Sequence, residues 1–253
     1  MPTFVIVGAS SGIGLEMVKQ LAARGDKVFA TCRSKAGSAT GVDGLSEITG
    51  DITIIEGIDI AQDSVGEVLK ASALADVPID VIVHNAGSIN GSRDVKPEDM
   101  FAEQKFANIS MDRMRAAFEV NTLGPLRVQQ ALLPQMVSPN GKVAVISTGM
   151  GSIGDNGSGG IYAYRTSKAA VNMVTKSMSC DFKEKGISVM AIAPGIVVSD
   201  FGPGQEQMAK MGAAPVDKAV GTILQVIDGM NMENTGSYMM VPTNGSDPKI
   251  FPW

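Results

Sequence analysis

Cysteine is scarce in this sequence. The 253 residues include two, Cys32 and Cys180, which stand far apart in the chain. A pair this distant provides no disulfide framework, and the chain shows no charged-then-apolar leader, so both features argue against secretion. We therefore expect a cytoplasmic protein in a reducing environment.

Basic clusters and long apolar runs are also missing. Lys and Arg number 21 against 26 Asp and Glu, a net charge of -5, and no block of basic residues offers a stripe for nucleic-acid phosphates. The longest apolar stretch, Ile187 to Val198, is too short for a bilayer and is interrupted by Pro194 and Gly195. We expect no nucleic-acid partner, no membrane and no metal ion, and a small molecule as the ligand.

Strand-like and helix-like segments alternate along the chain. The strand candidates are residues 3–7, 27–32, 52–56, 79–84, 142–147, 187–193 and 237–241, and the main helical stretches are 111–136, 158–185 and 215–230. Such alternation predicts a parallel sheet with helices on both faces and ligands at the carboxyl ends of the strands. Because 44% of the residues are hydrophobic, we expect a substantial core and one domain over residues 1–253.

Three segments have no clear strand or helix pattern. Residues 34–51 predict a short or irregular crossover, and residues 94–109 predict an extra helical excursion on the surface. Residues 149–160 contain six glycines and predict a mobile loop over the ligand.

The first strand candidate ends in a glycine-rich turn. Gly8, Gly12 and Gly14 precede a helical pattern, so the backbone can turn sharply and present the helix N-terminus to an anion. The spacing Gly-x-x-x-Gly-x-Gly differs from the standard dinucleotide fingerprint. The segment therefore indicates either a dinucleotide site or a tight strand-to-helix connection.

Tyr164 and Lys168 are four residues apart in a helical stretch, which places both on one helix face. A neighbouring cation favours the phenolate, so the pair predicts a phenol that exchanges a proton closer to neutral pH than free tyrosine does. Taken alone, the spacing is more typical of a structural surface pair than of a catalytic one.

Five ordered motifs resemble those of the short-chain dehydrogenase/reductase family over essentially the whole chain. They are Gly8 to Gly14, His84-Asn85-Ala86-Gly87, Asn121 within Asn121-Thr122-Leu123-Gly124-Pro125, Tyr164 with Lys168, and Pro194-Gly195-Ile196-Val197-Val198-Ser199. Residues 159–165 and Pro252-Trp253 are similar to the carbonyl-reductase branch with its C-factor-like and sniffer-like proteins. The resemblance implies a single Rossmann-type α/β domain, a doubly wound parallel sheet with helices on both faces.

The resemblance also implies four catalytic residues. Tyr164 is the expected general acid/base, and Lys168 is expected to lower the pKa of Tyr164 and to hold the nicotinamide ribose. Asn121 is expected to support a water-linked proton path to the lysine, and Thr148 to donate to the carbonyl oxygen of the substrate.

The assignment of Thr148 follows from a departure from the family pattern. The family usually has serine second in the pair that ends the fifth strand, whereas this chain has Ser147-Thr148. Successive strand residues face opposite sides, so only one of the two hydroxyls can face the substrate. The extra methyl group of threonine narrows the pocket. His84, the only histidine, falls in the cofactor-binding turn, where we expect a packing or hydrogen-bonding role.

The implied cofactor is NADP(H), with NAD(H) as the weaker possibility. Arg33 follows the second strand where an NAD site presents a carboxylate, so it can grip a 2′-phosphate, although the turn lacks a further basic residue. Asp59 with Ile60 resembles the pair that contacts adenine, and an ordinary loop aspartate is the alternative. The expected cofactor-binding residues are Gly8, Ser10, Ser11, Gly12, Ile13, Gly14, Arg33, Asp59, Ile60, Asn85, Ala86, Gly87, Tyr164, Lys168, Pro194, Gly195, Val197 and Ser199.

The expected activity is NADP(H)-dependent reduction of a ketone or aldehyde to an alcohol. Residues 149–160 and 199–212 are the expected substrate loops, and their glycines and methionines suit apolar carbonyl compounds. By resemblance, the helices within 111–136 and 158–185 pair between subunits in a homodimer or homotetramer. The alternatives are a weakly catalytic or non-catalytic NADP-binding redox sensor and an NAD-dependent alcohol oxidiser.

Overall fold

A computed structural model describes residues 1–33, 43–90, 102–199 and 201–253. Within these residues the strands are β1 Thr3–Val7, β2 Lys27–Thr31, β3 Ile52–Ile55, β4 Val81–His84, β5 Lys142–Ile146, β6 Ser188–Ala193, β7 Tyr238–Met240 and β8 Lys249–Ile250. They form one sheet in the order β3-β2-β1-β4-β5-β6-β7-β8, parallel except for the antiparallel pair of β7 and β8. The predicted doubly wound parallel sheet is confirmed, with the short strand β8 added at one edge.

Helices cover both faces of this sheet. Over the described residues they are α1 Gly12–Arg24, α2 Asp43–Ser46, α3 Val65–Lys70, α4 Met111–Phe118, α5 Gly124–Leu132, α6 Tyr162–Asp181, α7 Gln205–Lys210 and α8 Val216–Asp228. The order of the strands reverses direction at β1, since β2 and β4 lie on its two sides. Ligands of such sheets bind beyond the carboxyl ends of the strands near this switch point.

Alternate residues of β1 enter two different hydrophobic cores. Phe4 and Ile6 pack in the core that includes residues of α1 and α8. Val5 and Val7 pack in the core that includes residues of α3, α5 and α6. Because side chains alternate along a strand, a continuous apolar run is what a strand covered on both faces requires.

The helix predicted over residues 111–136 is interrupted once and ends earlier, since a 3-10 turn Leu133–Gln135 follows α5. A π-helical turn, Glu119–Leu123, separates α4 from α5. Pro125 has no N–H to donate to the carbonyl of Asn121 four residues earlier, so a regular α-helix cannot continue through this point. Single π-helical turns are frequent at functional sites.

The predicted helix over residues 158–185 starts later and ends earlier than expected. Gly159, Gly160 and Ile161 have positive φ angles of 61°, 64° and 50°, so the chain enters α6 only at Tyr162. At the other end, a separate 3-10 turn Lys183–Lys185 follows α6. The helix therefore begins only two residues before Tyr164.

Parts of two predicted segments lie outside the described residues. These are residues 34–42 of the irregular crossover and residues 94–101 of the surface excursion. The remainder forms the single turn of α2 and a series of turns over 102–108. None of the helices in the described ranges combines the length and the apolar character needed to span a membrane.

Candidate active site

The glycine turn after β1 is closed against the turn after β4. Gly8 has a φ of 84°, and a Cβ atom there would lie 2.7 Å from Ala86 Cα. Asn85 Nδ2 donates to the Gly8 carbonyl oxygen at 2.7 Å, and a Cβ atom on Gly14 would lie 2.5 Å from this same Nδ2. Glycine is therefore required at both positions, and the Asn85 side chain braces the two turns.

The N-terminus of α1 has the properties of an anion site. Ser11 occupies the N-cap position without a side-chain hydrogen bond to the helix, and the first turn of α1 carries no acidic residue. The first N–H groups of the helix and the positive end of its dipole thus face the cleft without a capping side chain. This arrangement fits a dinucleotide pyrophosphate at Ser10 to Gly14.

The end of β2 joins this turn directly. Ala9 N–H donates to the Thr31 carbonyl at 2.9 Å, and Gly8 N–H donates to Thr31 Oγ1 at 3.3 Å. Arg33 follows two residues later with an exposed side chain. The guanidinium is therefore available next to the anion site.

One carboxylate oxygen of Asp59 forms a hydrogen bond within its own loop. Its Oδ1 accepts from Ala61 N–H at 3.1 Å, which is the geometry of an ordinary turn-forming aspartate. The adjacent Ile60 is buried and fills the space beside Gly124. Only the second carboxylate oxygen of Asp59 is free of this turn contact.

Tyr164, Lys168 and Thr148 converge at the carboxyl end of β5. The Thr148 hydroxyl lies within hydrogen-bonding reach of the Tyr164 phenol. Lys168 Nζ lies 5.9 Å from the centroid of the Tyr164 ring and donates to the Ile146 carbonyl at 2.8 Å. A phenol, an aliphatic hydroxyl and an ammonium group are thus gathered from α6 and β5 at one point.

Burial dominates the electrostatics of this cluster. Burial raises the pKa of Tyr164 above its ordinary value, and the contact with the Thr148 hydroxyl acts in the opposite direction. Burial also lowers the pKa of Lys168 to about 8. Burial therefore opposes the effect expected of the lysine on the phenol, because the same low-dielectric surroundings disfavour both charged forms.

The cost of burying Lys168 leads to a prediction about stability. We expect Lys168→Met to be more stable than the wild type at pH 7 by about 2 kcal/mol, because the variant buries no ammonium group. In the wild type the folded-state pKa lies below the unfolded-state value, so the unfolding free energy rises with pH from about 8 to 10.5. The advantage of the variant should therefore shrink by pH 10, as measured by urea unfolding.

A matched control is Lys70→Met, which removes an exposed lysine paired with Glu67 at 3.0 Å. Its stability relative to the wild type should not change between pH 7 and pH 10. A Lys168→Met protein less stable than wild type at pH 7 would show that the bond to Ile146 outweighs the cost of the buried charge.

Asn121 is fully buried in the π-helical turn and links three elements. Its Oδ1 accepts from Ser88 N–H at 2.8 Å, and its Nδ2 donates to the Ser88 carbonyl at 2.7 Å and to Ser167 Oγ at 2.9 Å. A Cβ atom on Gly87 would lie 3.4 Å from Asn121 Oδ1 and 3.6 Å from Lys168 Nζ. The side chain thus joins the turn after β4 to α6 beside the lysine.

The two hydroxyls at the end of β5 point in different directions. Ser147 Oγ donates to Asn172 Oδ1 at 2.6 Å inside the protein. Thr148 instead approaches Tyr164 and accepts from Met150 N–H at 3.3 Å. The alternation expected from the strand is present, and it is Thr148 that joins the tyrosine.

The segment after β6 closes the other side of the cleft. Gly195 has a φ of 70° and follows Pro194, and Val197 is buried and bridges to Ala214. Ser199 lies against the glycine turn, since a Cβ atom on Gly12 would be 3.4 Å from Ser199 Cβ.

The Phe201 ring packs 5.9 Å from the Tyr164 ring and is 40% exposed. Asp200, within the predicted substrate loop 199–212, lies outside the described residues.

His84 and Gln104 complete the surroundings. His84 is buried, with Nε2 3.1 Å from Gln129 Oε1, and burial lowers its pKa to about 4. It therefore packs away from the cleft in neutral form. Gln104 Oε1 accepts from Tyr164 N–H at 3.3 Å and so caps the first turn of α6. Sequence reasoning missed Gln104, because no local signal connects it with a helix that starts some 60 residues later.

The predicted mobile loop is anchored over its first half. Gly149–Gly151 forms a 3-10 turn, Gly154 N–H donates to the Trp253 carbonyl at 3.1 Å, and Arg165 donates to the Met150 carbonyl at 3.3 Å. The sequence suggested mobility from glycine content, whereas the contact with Trp253 comes from a residue distant in the chain.

The glycine turn packs against the turn after β4, which in turn approaches the lysine of the tyrosine, lysine and hydroxyl cluster. This arrangement is typical of a dinucleotide-dependent oxidoreductase. The family model described as short chain dehydrogenase matches residues 2–210. The chain therefore belongs to the short-chain dehydrogenase family.

Two known proteins are similar to this chain over much of its length. It is 32% identical over 242 residues to 1-hydroxy-2-glutathionyl-2-methyl-3-butene dehydrogenase of Rhodococcus sp. (strain AD45), covering 94% of this chain and 96% of that protein. It is 36% identical over 162 residues to the C-signal protein of Myxococcus xanthus, covering 64% of this chain and 87% of that one.

Among solved structures, NADPH-bound carbonyl reductase from chicken fatty liver superposes with a TM-score of 0.81 at 26% identity, covering 100% and 99% of the two chains. The predicted likeness to the branch with C-factor-like proteins and carbonyl reductases is confirmed.

Proposed function

We propose that this protein is an NADP(H)-dependent carbonyl reductase that converts a ketone or aldehyde to an alcohol. The observation that carries the proposal is the convergence of Tyr164, Thr148 and Lys168 next to the turn after β4, which packs against the glycine turn. A structural role alone does not require a buried phenol to meet a half-buried hydroxyl at the carboxyl end of β5, where ligands of such sheets bind.

The residues of the cleft divide the reaction between them. Bound NADPH supplies the hydride to the carbonyl carbon. The hydroxyls of Tyr164 and Thr148 bind the carbonyl oxygen, and Tyr164 transfers its proton to that oxygen as negative charge develops there. Lys168 is held by Ile146 beside the phenol, and its ammonium group stabilises the tyrosinate that results. Asn121 lies beside Lys168, since a Cβ atom on Gly87 would approach both side chains, and it supports a water-linked proton path to the lysine.

Three features support NADP(H) over NAD(H). Arg33 lies exposed just beyond β2, next to the glycine turn, and can pair with a 2′-phosphate through two parallel hydrogen bonds. The corresponding position carries no carboxylate for ribose hydroxyls. In addition, the chicken carbonyl reductase of similar fold is NADPH-bound. The cofactor-binding residues are those named from the sequence, with Asn85 acting as the brace of the turns.

An apolar carbonyl compound fits the mouth of the cleft best. Phe201 packs beside Tyr164, and Met150 and Ile153 are 36% and 79% exposed in the loop 149–160. Phe201 offers apolar contact area next to Tyr164, and Met150 and Ile153 offer exposed apolar area in the loop that follows Thr148. We therefore place the substrate-binding site between the loops 149–160 and 199–212 and treat residues 1–253 as a single domain.

The proposal is tested by following NADPH absorbance with a panel of aldehydes, quinones and cyclic ketones. We expect turnover with several apolar members of the panel and slower turnover with NADH. Nucleotide binding without turnover of any member would favour the redox-sensor alternative. Turnover confined to NAD and alcohols would favour the oxidiser.

The proposed oligomeric state and cellular location each rest on one kind of observation. Exposed apolar side chains on α4 and α6, Met111 at 56% and Met173 at 67%, support pairing of these helices in a homodimer or homotetramer. Cys32 and Cys180 are not joined in a disulfide, which supports a reducing cytoplasm.

A further inference from the structure

Tyr238 lies at the centre of an aromatic cluster beside the loop that follows β5. Its side chain is fully buried at the start of β7. Its ring stacks on Trp253 with centroids 5.1 Å apart and meets the edge of Phe251 at 5.5 Å. The rotamer of the tyrosine is thus set by two rings, and its hydroxyl has one direction in which to point.

That hydroxyl donates to the main-chain carbonyl of Thr148, 90 residues earlier in the chain. The same carbonyl accepts from Gly151 N–H at 2.8 Å. The Ser147 and Asn172 side chains also lie within hydrogen-bonding reach of the phenol, and Asn172 Nδ2 donates to the Gly151 carbonyl at 3.2 Å. A buried polar network therefore surrounds the main chain on both sides of Thr148.

A second contact holds the far side of the same segment. The Trp253 carbonyl accepts from Gly154 N–H at 3.1 Å and from Ser152 Oγ at 3.3 Å. Phe251 lies under Gly149, where an added Cβ atom would be 3.8 Å from its ring. Residues 238–253 thus support the main chain from Thr148 to Gly154 from one side.

We propose that Tyr238 is a positioning residue: its hydroxyl fixes the Thr148 main chain and thereby holds the Thr148 hydroxyl against Tyr164. The proposal rests on the carbonyl-reductase function proposed above. A main chain free to tilt at Thr148 moves the attached hydroxyl relative to the phenol, and misplacement of a reacting group by about 1 Å costs on the order of 100-fold in rate. Tyr238 itself does not touch the substrate.

A double-mutant cycle tests this role. Tyr238→Phe keeps the ring between Phe251 and Trp253 and deletes only the hydroxyl. We expect kcat to fall about tenfold, with the KM for NADPH within about twofold of wild type. In a Thr148→Ala background the same change should alter kcat less than about twofold, because the hydroxyl that Tyr238 positions is already absent. Equal losses in both backgrounds would overturn the proposal.

A second readout does not depend on turnover. Hydrogen exchange at the Gly151 amide should be about tenfold faster in Tyr238→Phe than in wild type, since its acceptor carbonyl loses one of its two donors. Thr175→Val is the matched control: it deletes a buried α6 hydroxyl that donates to the Val171 carbonyl at 2.7 Å, one turn earlier in the same helix. It should leave the Gly151 exchange and kcat unchanged.

The two readouts separate this proposal from the proposed function. If the wild type reduces no carbonyl compound, the reductase function fails, and the exchange rate still decides whether Tyr238 holds the Thr148 segment. An unchanged Gly151 exchange rate in Tyr238→Phe overturns the positioning role whatever the turnover.

Discussion

Tyr164→Phe is expected to lower kcat by about 1,000-fold while NADPH binding stays within about twofold of wild type. Removal of the phenolic hydroxyl deletes the proton donor and one of two hydrogen bonds to the carbonyl oxygen, and each such contribution spans two or more orders of magnitude. The ring remains to pack against Phe201, 5.9 Å away, so the fold of the cleft should be preserved. Single-turnover kinetics and fluorescence titration with NADPH measure the two quantities separately.

Tyr162→Phe is the matched control for this experiment. It removes a phenolic hydroxyl from the same turn of α6, where the ring packs against Phe106 at 5.9 Å. Its kcat should remain within about threefold of wild type. Retention of full turnover by Tyr164→Phe would remove the proposed mechanism, and loss of NADPH binding by that variant would show that the phenol acts mainly in the nucleotide site.

Arg33→Ala is expected to weaken NADPH binding about 100-fold and NADH binding less than about threefold. The guanidinium can form two charge-assisted hydrogen bonds with a 2′-phosphate, and NADH has no such group. Because this pair lies at an exposed position, the preference of the wild type for NADPH should also decrease as salt concentration rises. Dissociation constants for both nucleotides at two ionic strengths measure the effect.

Arg115→Ala serves as the control, because this exposed arginine pairs with Asp112 at 2.7 Å on α4, away from the glycine turn. It should change neither dissociation constant. An equal loss of affinity for NADPH and NADH in Arg33→Ala would contradict the contact with the 2′-phosphate. It would show instead that the arginine charge attracts both nucleotides without distinguishing them.

Much of the site could be located from the sequence because its motifs are local. The glycine turn follows a buried strand directly, and Tyr164 and Lys168 share a face of one helix through their four-residue spacing. Alternation along a single strand allowed only one of Ser147 and Thr148 to face the substrate, and the family pattern selected Thr148. The structure shows the two side chains diverging.

Other features could not be predicted because their partners are distant in the chain. Gln104 caps the helix of Tyr164 across 60 residues, and Tyr238 reaches Thr148 across 90. The pKa of Tyr164 was expected to fall from the proximity of Lys168, but burial, which depends on the complete packing of the core, acts in the opposite direction.

The sequence by itself determined the order of strands and helices, the glycine turn and the residue types that carry the chemistry, because these depend on backbone periodicity within a few residues. Only the tertiary structure decided which side chains brace the site and how strongly burial opposes charge there. Such contacts and burial arise when β4, β5, β6 and β7 come to lie side by side in one sheet.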